Sequence, residues 1–417
     1  MALLLRLGTA LYHVGIGLAA PFVPKARAWV EGRRGLWARM EARTDALQGC
    51  LWMHCASVGE FEQGRPVLEA LKHERPDLPV LLTFFSPSGF EARKAFPLAT
   101  HVDYLPADSA RNAGRLLALI RPRMAIFVKY EFWPQHLHAL RRTRVPTYLV
   151  SAIFRPSQPF FKWYGGGHRA MLACFDHLFV QNETSRILLE SIGSTHVTVS
   201  GDTRFDRVSA ITKEPVLIPF AEHFIRGRKR PVLVAGSTWP ADEALLAEQD
   251  SGIPLIMVPH EIDAAHVEQL RHRFAPDGLT AGEYEERVMA NPDAGCDHLI
   301  VDRMGHLSRL YHYADITYVG GGFGTGIHNT IEAAAWGRPV IFGPNHARFA
   351  EAQGLIDAGA GFCVRNAEEL RAVLLRLEQD PLALRTAADA ASRYVAERTG
   401  ATARVVERVQ TVLGETS

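Results

Sequence analysis

The stretch DITYVGGGFGTGIHNTIEAAAWGRPVIFG (315–343) passes from an apolar strand through a glycine run into a helix and then into a second apolar strand. Two parallel strands need a crossover connection of this kind, and a helix is its usual form. The glycines of 320–326 allow the backbone a tight turn and a close approach to a ligand. The stretch therefore predicts a strand–helix–strand unit of a parallel α/β sheet.

The same alternation of short apolar and longer amphipathic runs extends outward from this stretch and predicts two doubly wound α/β units with a cleft between them. Strands are predicted at 231–237, 253–259, 315–321 and 338–343 in the second half, and at 51–55, 80–84, 124–128, 147–151 and 177–180 in the first. Helices are predicted near 60–73, 109–120, 159–172, 183–191, 240–248, 264–273, 329–336, 349–357 and 366–378.

The chain length of 417 residues leaves room for two or three globular units. Between the two halves, prolines and a basic run without clean periodicity indicate a linker. The expected segments are a front segment (1–50), a first α/β domain (51–210), the linker (211–230), a second α/β domain (231–380) and terminal helices that pack back toward the first domain (381–417).

Composition and charge exclude several classes of protein. Hydrophobic residues make up 47% of the chain and charged residues 22%, which excludes a disordered, collagen-like or polytopic membrane protein. The 46 basic and 45 acidic residues give a net charge of +1, which argues against a nucleic-acid-binding protein. Five cysteines without a C-x-x-C pair suit a reducing compartment and argue against a disulfide framework or a structural zinc site.

The front of the chain is apolar and then basic. Residues 1–23 are mostly apolar, but Arg6 and His13 leave uninterrupted runs that are too short to span a bilayer comfortably. Residues 1–50 hold seven basic and three acidic side chains. We predict an uncleaved segment that embeds in or lies along a membrane surface, with the basic run from Lys25 to Arg43 near anionic headgroups. The alternative is an ordinary buried helix of the first domain.

Several common active-site motifs are absent from the sequence. It has no G-x-x-x-x-G-K-[ST] phosphate loop, no H-E-x-x-H zinc motif and no G-x-S-x-G nucleophile elbow. It also has no D-x-D pair, which metal-dependent nucleotide-sugar enzymes often use to hold a divalent cation on the diphosphate. These absences disfavour a metal-bridged donor, and the sequence predicts no metal site.

Charged side chains of the first half follow strands at the edge where open α/β sheets bind ligands. Glu60 follows LWMHC and is available as a general base, although the S-x-x-E spacing of 57–60 is also that of a capping box. Glu131 follows MAIFV, and its alternative role is a first-turn glutamate favoured by the helix dipole. Arg204 offers a guanidinium where the first half ends, and its alternative role is an ion pair with a neighbouring aspartate.

Residues of the second half occupy similar positions after strands. The N–H groups of 320–326 and the start of the next helix are placed to receive a phosphate or carboxylate, with Glu332 ready to accept hydrogen bonds from sugar or ribose hydroxyls. The motifs GST (236–238) and PHE (259–261) are expected to face the same cleft. The alternatives are a tight strand-to-helix turn for the glycines and a solvated loop residue for His260.

Seven motifs, taken together and in order, closely resemble those of the 3-deoxy-D-manno-octulosonic acid (Kdo) transferases. They are ASVGE (56–60), YEFWP (130–134), GDTRFD (201–206), GST (236–238), VPHE (258–261), Met304-Gly305 and VGGGFGTGIHNTIEAAAWGRPVIFGP (319–344). The resemblance covers nearly the whole chain, including the N-terminal segment. Enzymes of this family add Kdo from CMP-Kdo to the lipid A precursor of lipopolysaccharide.

The resemblance implies a GT-B fold of two Rossmann-like domains that face each other across a cleft, and an inverting, metal-independent glycosyltransferase without a cofactor. It assigns Glu60 as the general base and gives Glu131 and Arg204 the stabilisation of the transition state. The residues expected to bind the donor CMP-Kdo are Ser237, Thr238, Pro259, His260, Met304, Gly305, His306, Gly321, Gly322, Asn329, Thr330, Ile331 and Glu332. Many members carry arginine and glutamate where this chain has His260 and His306.

The implied partners are CMP-Kdo, the lipid A precursor (lipid IVA) held by the N-terminal domain, and the anionic inner-membrane surface on its cytoplasmic face, with no nucleic acid. One alternative is a GT-B transferase that uses a UDP-sugar. Another is a catalytically silent, membrane-associated protein that binds nucleotide-sugars or lipid A. The presence of Glu60, Glu131 and Arg204 together argues against the silent protein, which has no need for all three.

Overall fold

The computed structural model of the chain describes residues 2–249, 251–276, 278–291 and 295–415. Contacts divide the chain into two compact units. Unit 1 holds the residues up to Asp206 together with those from Thr399 onward, and unit 2 holds Arg207–Arg398. Each unit is a doubly wound α/β structure, as the alternation of strands and helices predicts.

In the described part of unit 1, seven parallel strands form one sheet in the order β3-β2-β1-β4-β5-β6-β7. The strands are β1 (Leu51–Cys55), β2 (Val80–Phe84), β3 (His101–Tyr104), β4 (Met124–Val128), β5 (Thr147–Ala152), β6 (His177–Val180) and β7 (Val197–Val199). The helices up to the unit boundary are α1 (Ala2–Ala19), α2 (Pro24–Gly32), α3 (Leu36–Glu41), α4 (Thr44–Leu47), α5 (Val58–Glu74), α6 (Pro87–Arg93), α7 (Ala110–Ile120), α8 (Pro134–Arg142), α9 (Gly166–Leu172), α10 (Glu183–Glu190) and α11 (Thr203–Ile211), which crosses it.

Unit 2 has a second parallel sheet, in which seven strands of the described residues follow the order β10-β11-β9-β8-β12-β13-β14. The strands are β8 (Leu233–Thr238), β9 (Leu255–Pro259), β10 (Gly278–Thr280), β11 (His298–Ile300), β12 (Ile316–Val319), β13 (Val340–Phe342) and β14 (Gly361–Cys363). The helices are α12 (Pro219–Ile225), α13 (Pro240–Glu248), α14 (Ala264–Arg273), α15 (Ala281–Ala290), α16 (Leu307–Leu310), α17 (Thr330–Ala335), α18 (Ala350–Asp357), α19 (Ala367–Gln379) and α20 (Pro381–Ala396).

The last helix, α21 (Ala401–Glu415), returns to unit 1 and packs on α5. Its apolar side chains join the core cluster on one face of the unit 1 sheet: Val405, Val406, Val409 and Leu413. The preceding helix α20 packs on α17 within unit 2. Residues 211–230 are also ordered within unit 2, where α12 buries Phe220, Ala221 and Phe224.

The pattern of the sequence predicts nine of the strands and misses five short ones. The missed strands are β3, β7, β10, β11 and β14. Each has three or four residues, which is too short to show a periodicity, and four of them form the edges of the two sheets. The helix predicted near 159–172 is interrupted by a turn, in which Gly165 lies so close to the carbonyl oxygen of Pro159 that a side chain there would not fit. A 3₁₀ turn forms over Pro159–Phe161, and α9 begins only at Gly166.

Helix α1 lies at the front of unit 1, and its side chains at residues 8 and 11–19 are exposed or half-buried. Four apolar side chains are between 51% and 72% exposed, namely Leu11, Tyr12, Val14 and Leu18, and Phe22 beyond the helix is 85% exposed. The alternative of an ordinary buried helix is therefore wrong for these positions. No helix within the described ranges combines the length and the apolar character needed to cross a membrane.

The basic run after α1 is divided between the surface and the interior. Arg39 forms an ion pair with the buried carboxylate of Asp103 at 2.6 Å. Arg33 donates to the carbonyl oxygen of Phe85 at 3.0 Å and lies 3.8 Å from the ring centroid of Trp29. Burial lowers the pKa of Arg33 to about 9. The cations that face solvent, and so fit the predicted surface patch, are Lys25, Arg27, Arg34 and Arg43.

Candidate active site

Glu60 stands at the carboxyl edge of the unit 1 sheet, in the first turn of α5. Ser57 caps this helix, because its hydroxyl oxygen accepts the N–H of Glu60 at 3.4 Å. The Glu60 carboxylate accepts the backbone N–H of Ala56 at 2.6 Å. Half of the predicted capping box is thus present, and it leaves the glutamate at the edge of the sheet.

The pKa of Glu60 is raised to about 7. Burial is the main cause, and the negative charge of Glu131 is the second. The N–H of Ala56 and the ammonium of Lys129 act in the opposite direction. A carboxyl group that titrates near neutrality suits a general base, since it is ionised often enough to act and basic enough to take a proton.

Glu131 lies in the connection between β4 and α8 and is only 6% exposed. Its Oε2 atom lies 2.8 Å from Nε2 of His54, a fully buried residue of β1. The same oxygen accepts the indole N–H of Trp133 at 2.6 Å. Helix α8 begins only at Pro134, so the alternative of a first-turn glutamate is wrong.

Lys129 joins β4 to this connection in a strained backbone conformation. Its φ of 66° lies in the left-handed region, which is unfavourable for a side chain with a Cβ. Its N–H donates to the carbonyl oxygen of Val150 at 2.8 Å, and its ammonium lies 5.4 Å from the ring centroid of Tyr130. Strained residues of this kind cluster at functional sites. The sequence analysis missed this lysine, and the available signal was a cation directly before the YEFWP motif.

Arg204 lies in the first turn of α11. Its Nε and Nη2 atoms donate to Oδ2 of Asp202 at 2.9 and 2.7 Å, so the predicted pairing with a neighbouring aspartate is present. The hydroxyl of Thr203 donates to the carbonyl oxygen of Gln63 on α5. This hydrogen bond holds the GDTRFD segment against the helix that begins with Glu60.

The glycine run of unit 2 is closed on itself. The N–H of Gly321 donates to the buried carboxylate of Asp242 at 2.9 Å. Further amides donate to backbone oxygens of the run or of β8, namely those of Gly320, Gly324, Gly326 and His328. These five amides are engaged internally, as in a tight strand-to-helix turn. The helix after the run begins at Thr330.

Asp242, which the sequence analysis missed, is the centre of this turn. Besides the N–H of Gly321, its carboxylate accepts the backbone N–H of Trp239 at 2.9 Å and the hydroxyl of Tyr318 at 2.7 Å. The side chain is only 1% exposed. The available signal was the position of this aspartate in the first turn of a helix that follows a strand.

The GST motif ends β8 beside the glycine run. Ser237 has a strained φ of 52°. Thr238 is buried, and its hydroxyl donates to Glu243 at 3.2 Å. A Cβ at Gly320 would overlap the carbonyl oxygen of Ser237. Only glycine therefore allows the ends of β8 and β12 to approach this closely.

The remaining predicted donor residues occupy two further places in unit 2. Asn329 precedes α17 and donates to Oε1 of Glu332 at 2.8 Å. Thr330 and Ile331 are buried, and Gly322 packs against Gly343 too closely for a Cβ. The segment Met304–His306 lies between β11 and α16.

In the ranges that the structure covers, no cluster of three or more histidine, cysteine or carboxylate side chains could hold a metal ion.

Three rings stack at the strand ends of unit 2. The rings of Trp239 and His328 are nearly parallel, at 11°, and the indole N–H donates to Nε2 of His328 at 2.9 Å. The exposed ring of His260, which directly follows Pro259 at the end of β9, stacks on both, with centroids 4.6 Å from Trp239 and 4.5 Å from His328. Burial and the neighbouring His260 lower the pKa of His328. The sequence analysis identified only His260 of these three.

Comparisons with known proteins agree on one family. The profile of a family described as 3-deoxy-D-manno-octulosonic-acid transferase (kdotransferase) matches residues 30–207. The chain is 30% identical to the 3-deoxy-D-manno-octulosonic acid transferase of Bordetella pertussis over 98% of this chain and 100% of that protein. It is also 30% identical to the protein of the same name from Aquifex aeolicus, over 79% of this chain and 86% of that protein.

Solved structures with a similar fold have low sequence identity. The UDP-GlcNAc 2-epimerase of Neisseria meningitidis matches with a TM-score of 0.60 and 14% identity, over 87% of this chain and 99% of that one. MurG of Acinetobacter baumannii matches with a TM-score of 0.55 and 14% identity, over 87% and 99%. At this identity the likeness shows the fold alone. It confirms two parallel-sheet α/β domains that resemble GT-B glycosyltransferases.

Proposed function

The chain belongs to the 3-deoxy-D-manno-octulosonic acid (Kdo) transferase family, and from this premise we propose that it is an inverting, metal-independent enzyme that transfers Kdo from CMP-Kdo to a lipid A precursor. The observation that carries the proposal is Glu60. This carboxyl group lies at the ligand-binding edge of a parallel sheet, and burial and a neighbouring carboxylate raise its pKa to about 7. Its position and its basicity both suit a general base.

In the proposed reaction, ionised Glu60 takes the proton of an acceptor sugar hydroxyl. The hydroxyl oxygen forms a bond to the anomeric carbon of Kdo while the bond from that carbon to the phosphate oxygen breaks. CMP leaves with the electron pair of the broken bond. Attack and departure occur on opposite faces of the carbon, so its configuration inverts.

Glu131 and Arg204 act on the charges that develop in this step. The sugar ring gains positive charge as the glycosidic bond lengthens, and the fixed negative charge of a buried carboxylate stabilises it. The guanidinium of Arg204 stabilises negative charge, which builds up on the departing phosphate. Asp202 orients that guanidinium through two hydrogen bonds.

We assign the donor nucleotide to unit 2. The exposed ring of His260, stacked on Trp239 and His328, offers a surface on which the base of a nucleotide can stack. The hydrogen bond from Asn329 fixes Glu332, whose carboxylate is placed to accept hydrogen bonds from ribose or sugar hydroxyls. The internal hydrogen bonds of the glycine run give it the role of a rigid support.

The decisive experiment is incubation of the purified full chain with CMP-Kdo and the tetra-acylated lipid A precursor, followed by mass spectrometry of the lipid. We expect a lipid product that is heavier by one or more Kdo residues. Transfer from a UDP-sugar but not from CMP-Kdo would contradict the proposed donor. Binding of both ligands without product would indicate the silent, membrane-associated protein.

Metal independence is a separate part of the proposal. The leaving group carries a single phosphate, and the sequence lacks the D-x-D pair that binds a cation to a diphosphate. We expect the initial rate to be unchanged by EDTA. A loss of rate that Mg²⁺ restores would contradict this expectation.

We also propose that the enzyme works at the cytoplasmic face of the inner membrane, with α1 lying on the anionic surface. The support is the exposed apolar side chains of α1 and the exposed cations that follow it. We expect Leu18→Ser with Phe22→Ser to release protein from anionic vesicles while the rate on detergent-dispersed acceptor stays the same. The control is Leu382→Ser, which removes a leucine of 73% exposure from α20. Equal binding of both variants would contradict the assignment.

A further inference from the structure

A chain of buried hydrogen bonds lies behind Glu131, and we propose that His54 is a positioning residue that holds the Glu131 carboxylate in its orientation. The inference rests on the proposed function, because Glu131 has its role in that reaction. His54 is remote from the surface and does not touch substrate in this scheme. It acts through Glu131 alone.

The chain of hydrogen bonds joins two neighbouring strands to the β4–α8 connection. The indole N–H of Trp52 on β1 donates to the hydroxyl of Thr83 on β2 at 2.9 Å. That hydroxyl lies 2.9 Å from Nδ1 of His54. Nε2 of His54 lies 2.8 Å from Oε2 of Glu131. Trp52, Thr83 and His54 are completely buried.

The positions of the hydrogens follow from these distances. With Glu131 ionised, Nε2 of His54 must carry a hydrogen, because two lone pairs 2.8 Å apart would repel each other. Nδ1 then accepts the hydroxyl hydrogen of Thr83 or, in a protonated ring, donates to the carbonyl oxygen of Thr83 at 3.0 Å. In both cases His54 donates to Glu131. The indole N–H of Trp133 lies 2.6 Å from Oε2 of Glu131 and 3.1 Å from Nε2 of His54, and it donates to the nearer carboxylate oxygen, because an Nε2 that carries a hydrogen cannot accept it.

Burying His54 inside β1 costs free energy that an apolar side chain in the same place would not cost. Strand β1 is buried throughout, and a polar side chain in such a strand costs free energy unless each of its polar atoms is satisfied. Here both ring nitrogens have partners, and the hydrogen bonds end on a carboxylate at the ligand-binding edge. An apolar residue would fill the same space without this requirement. The hydrogen bonds thus serve Glu131 rather than the core.

A change at Glu131 also affects Glu60, because the two carboxyl groups interact electrostatically. The negative charge of Glu131 is one of the causes that raise the pKa of Glu60. Titratable groups near Glu131 include Lys129 in its own connection and His13 of α1, whose ring centroid lies 6.4 Å from that of Trp133. They also include Cys55 of β1, whose pKa is raised by burial and by the charges of Glu60 and Glu131. If Glu131 loses the donors that hold its carboxylate in place, its charge acts less on Glu60, and the pKa of Glu60 falls toward its ordinary value.

The test compares His54→Leu with His54→Gln, whose side-chain amide can still donate to Glu131. The measurement is kcat/KM against pH, with Glu131→Gln as the reference for a lost charge. For the wild type we expect the acid limb near pH 7, since Glu60 must be ionised. We expect His54→Leu to lower the rate by about 10–100-fold, as loss of a supporting hydrogen bond does, and to move the limb to lower pH. His54→Gln should restore the limb.

A merely structural role for His54 predicts a different result. His54→Leu would then lower the melting temperature and the rate equally at all pH values, with the acid limb unmoved, and the proposal would be wrong. If His54→Leu does not fold, Thr83→Ser and Thr83→Val provide the same comparison one hydrogen bond further away. A ¹³C NMR titration of the glutamates gives the pKa of Glu60 in each variant without any turnover. This separates failure of the inference from failure of the proposed function.

A second, independent observation concerns the loop between the 3₁₀ turn and α9, and we propose that Trp163 and Tyr164 form a second contact with the anionic bilayer. Trp163 is 92% exposed and Tyr164 46%. The loop backbone is braced, because the Arg169 guanidinium donates to the carbonyl oxygens of Phe160 and Lys162 at 3.0 Å each. An indole and a phenol presented on a rigid loop are the side chains preferred at a membrane–water interface.

The position and the charge of the loop both favour a membrane as its partner. Phe132 packs on Phe160 of the 3₁₀ turn that precedes this loop, with ring centroids 4.9 Å apart, while the next residue, Trp133, lies against His13 of α1. The loop and α1 thus border the same connection at the carboxyl edge of the unit 1 sheet. Residues 153–175 contain no acidic side chain, and besides the bracing Arg169 they carry two cations, Arg155 and Lys162, which suits an anionic surface.

The test measures binding of the full chain to vesicles of equal parts phosphatidylcholine and phosphatidylglycerol, without any substrate. We expect Trp163→Ser with Tyr164→Ser to weaken binding by about tenfold or more, with an unchanged melting temperature. The matched control is Leu382→Ser on the exposed face of unit 2, which should bind like the wild type. Equal binding of the loop variant and the control would overturn the proposal, whatever the enzyme transfers.

Discussion

The predicted site residues are buried or half-buried at the carboxyl edge of the unit 1 sheet, whereas some of those at the strand ends of unit 2 are exposed. In unit 1, Glu131 is buried, Glu60 titrates near neutrality and His54 supports the site from inside the sheet. In unit 2, His260 is exposed on a stack of rings, and the glycine run uses its amides within the fold. The first arrangement suits chemistry, and the second suits the binding and release of a ligand.

This difference has a physical basis. A base needs a fixed, desolvated position, because burial is what raises its pKa. A nucleotide that enters and leaves in every cycle needs accessible rings and donors. We therefore expect substitutions in unit 1 to affect mainly kcat, and substitutions in unit 2 to affect mainly ligand affinity.

The largest expected effect is on Glu60. We expect Glu60→Gln to lower kcat by about 10²–10⁴-fold, because the amide keeps the hydrogen bond from Ala56 but cannot take a proton. CMP affinity, measured by calorimetry, should stay the same. The control is Glu69→Gln on the same helix, which removes only a surface ion pair with Arg65. Near-normal turnover with a lower melting temperature would contradict the role of general base and would show that Glu60 serves only to cap the helix.

The next largest effect concerns the support of the glycine run. The carboxylate of Asp242 accepts the backbone N–H groups of Trp239 and Gly321. In Asp242→Asn the side-chain NH₂ group would face one or both of these donors, and a buried mismatch of this kind costs about 1–3 kcal/mol of folding free energy. We expect CMP affinity to fall by about tenfold, while the pH dependence of turnover stays that of the wild type. Asp389→Asn on the surface of α20 is the control. A shift of the acid limb in Asp242→Asn would contradict the division between the two units.

A smaller effect links the basicity of Glu60 to stability. Its folded pKa is raised from 4.5 to about 7, so the fold favours the protonated form and stability is lost as pH rises through this range. Glu60→Gln does not lose this stability, because its side-chain amide does not ionise as the pH rises. The quantity to compare is the melting temperature of the variant minus that of the wild type. We expect this difference to be about 3–6 °C larger at pH 8 than at pH 5. An equal difference at both pH values would show that burial does not control this group.

The smallest effect should come from the ring stack. Trp239→Phe keeps an aromatic ring but removes the N–H that donates to Nε2 of His328. A neutral hydrogen bond contributes about 1 kcal/mol, so we expect CMP affinity to fall by about fivefold with little change in kcat. Trp336→Phe is the matched control, since its indole donates to Ser308 elsewhere in unit 2. An effect on kcat alone would contradict a binding role.

The sequence predicts the two sheets and the polar residues at the carboxyl edge of the unit 1 sheet because both depend on local pattern. Buried parallel strands are apolar runs, and polar residues directly after them fall at one edge of a sheet. Glu60 and Glu131 are found in this way. The short edge strands are missed because three residues form a strand only when a neighbouring strand pairs with them.

The partners of the site depend on contacts across the sheet, which the local pattern does not contain. His54 sits inside the predicted strand LWMHC, where its polarity is visible in the sequence but its partner on the β4–α8 connection, Glu131, is not. Asp242 likewise reaches Gly321, a residue 79 positions later in the chain. The glycine run is recognisable as a turn, but only the fold shows that Asp242 already occupies one of its amides.

The return of α21 to unit 1 has a consequence for biosynthesis. Unit 1 is built from the first and the last parts of the chain, and the whole of unit 2 is inserted between them. As the chain emerges from the ribosome, Glu60 and Glu131 and the strands that precede them appear early, while the valines of α21 that close the core of unit 1 appear late. Unit 2 can therefore fold during synthesis, whereas unit 1 is completed only after α21 has been made. A chain that stops before α21 would expose the unfinished core of unit 1 to proteases and chaperones.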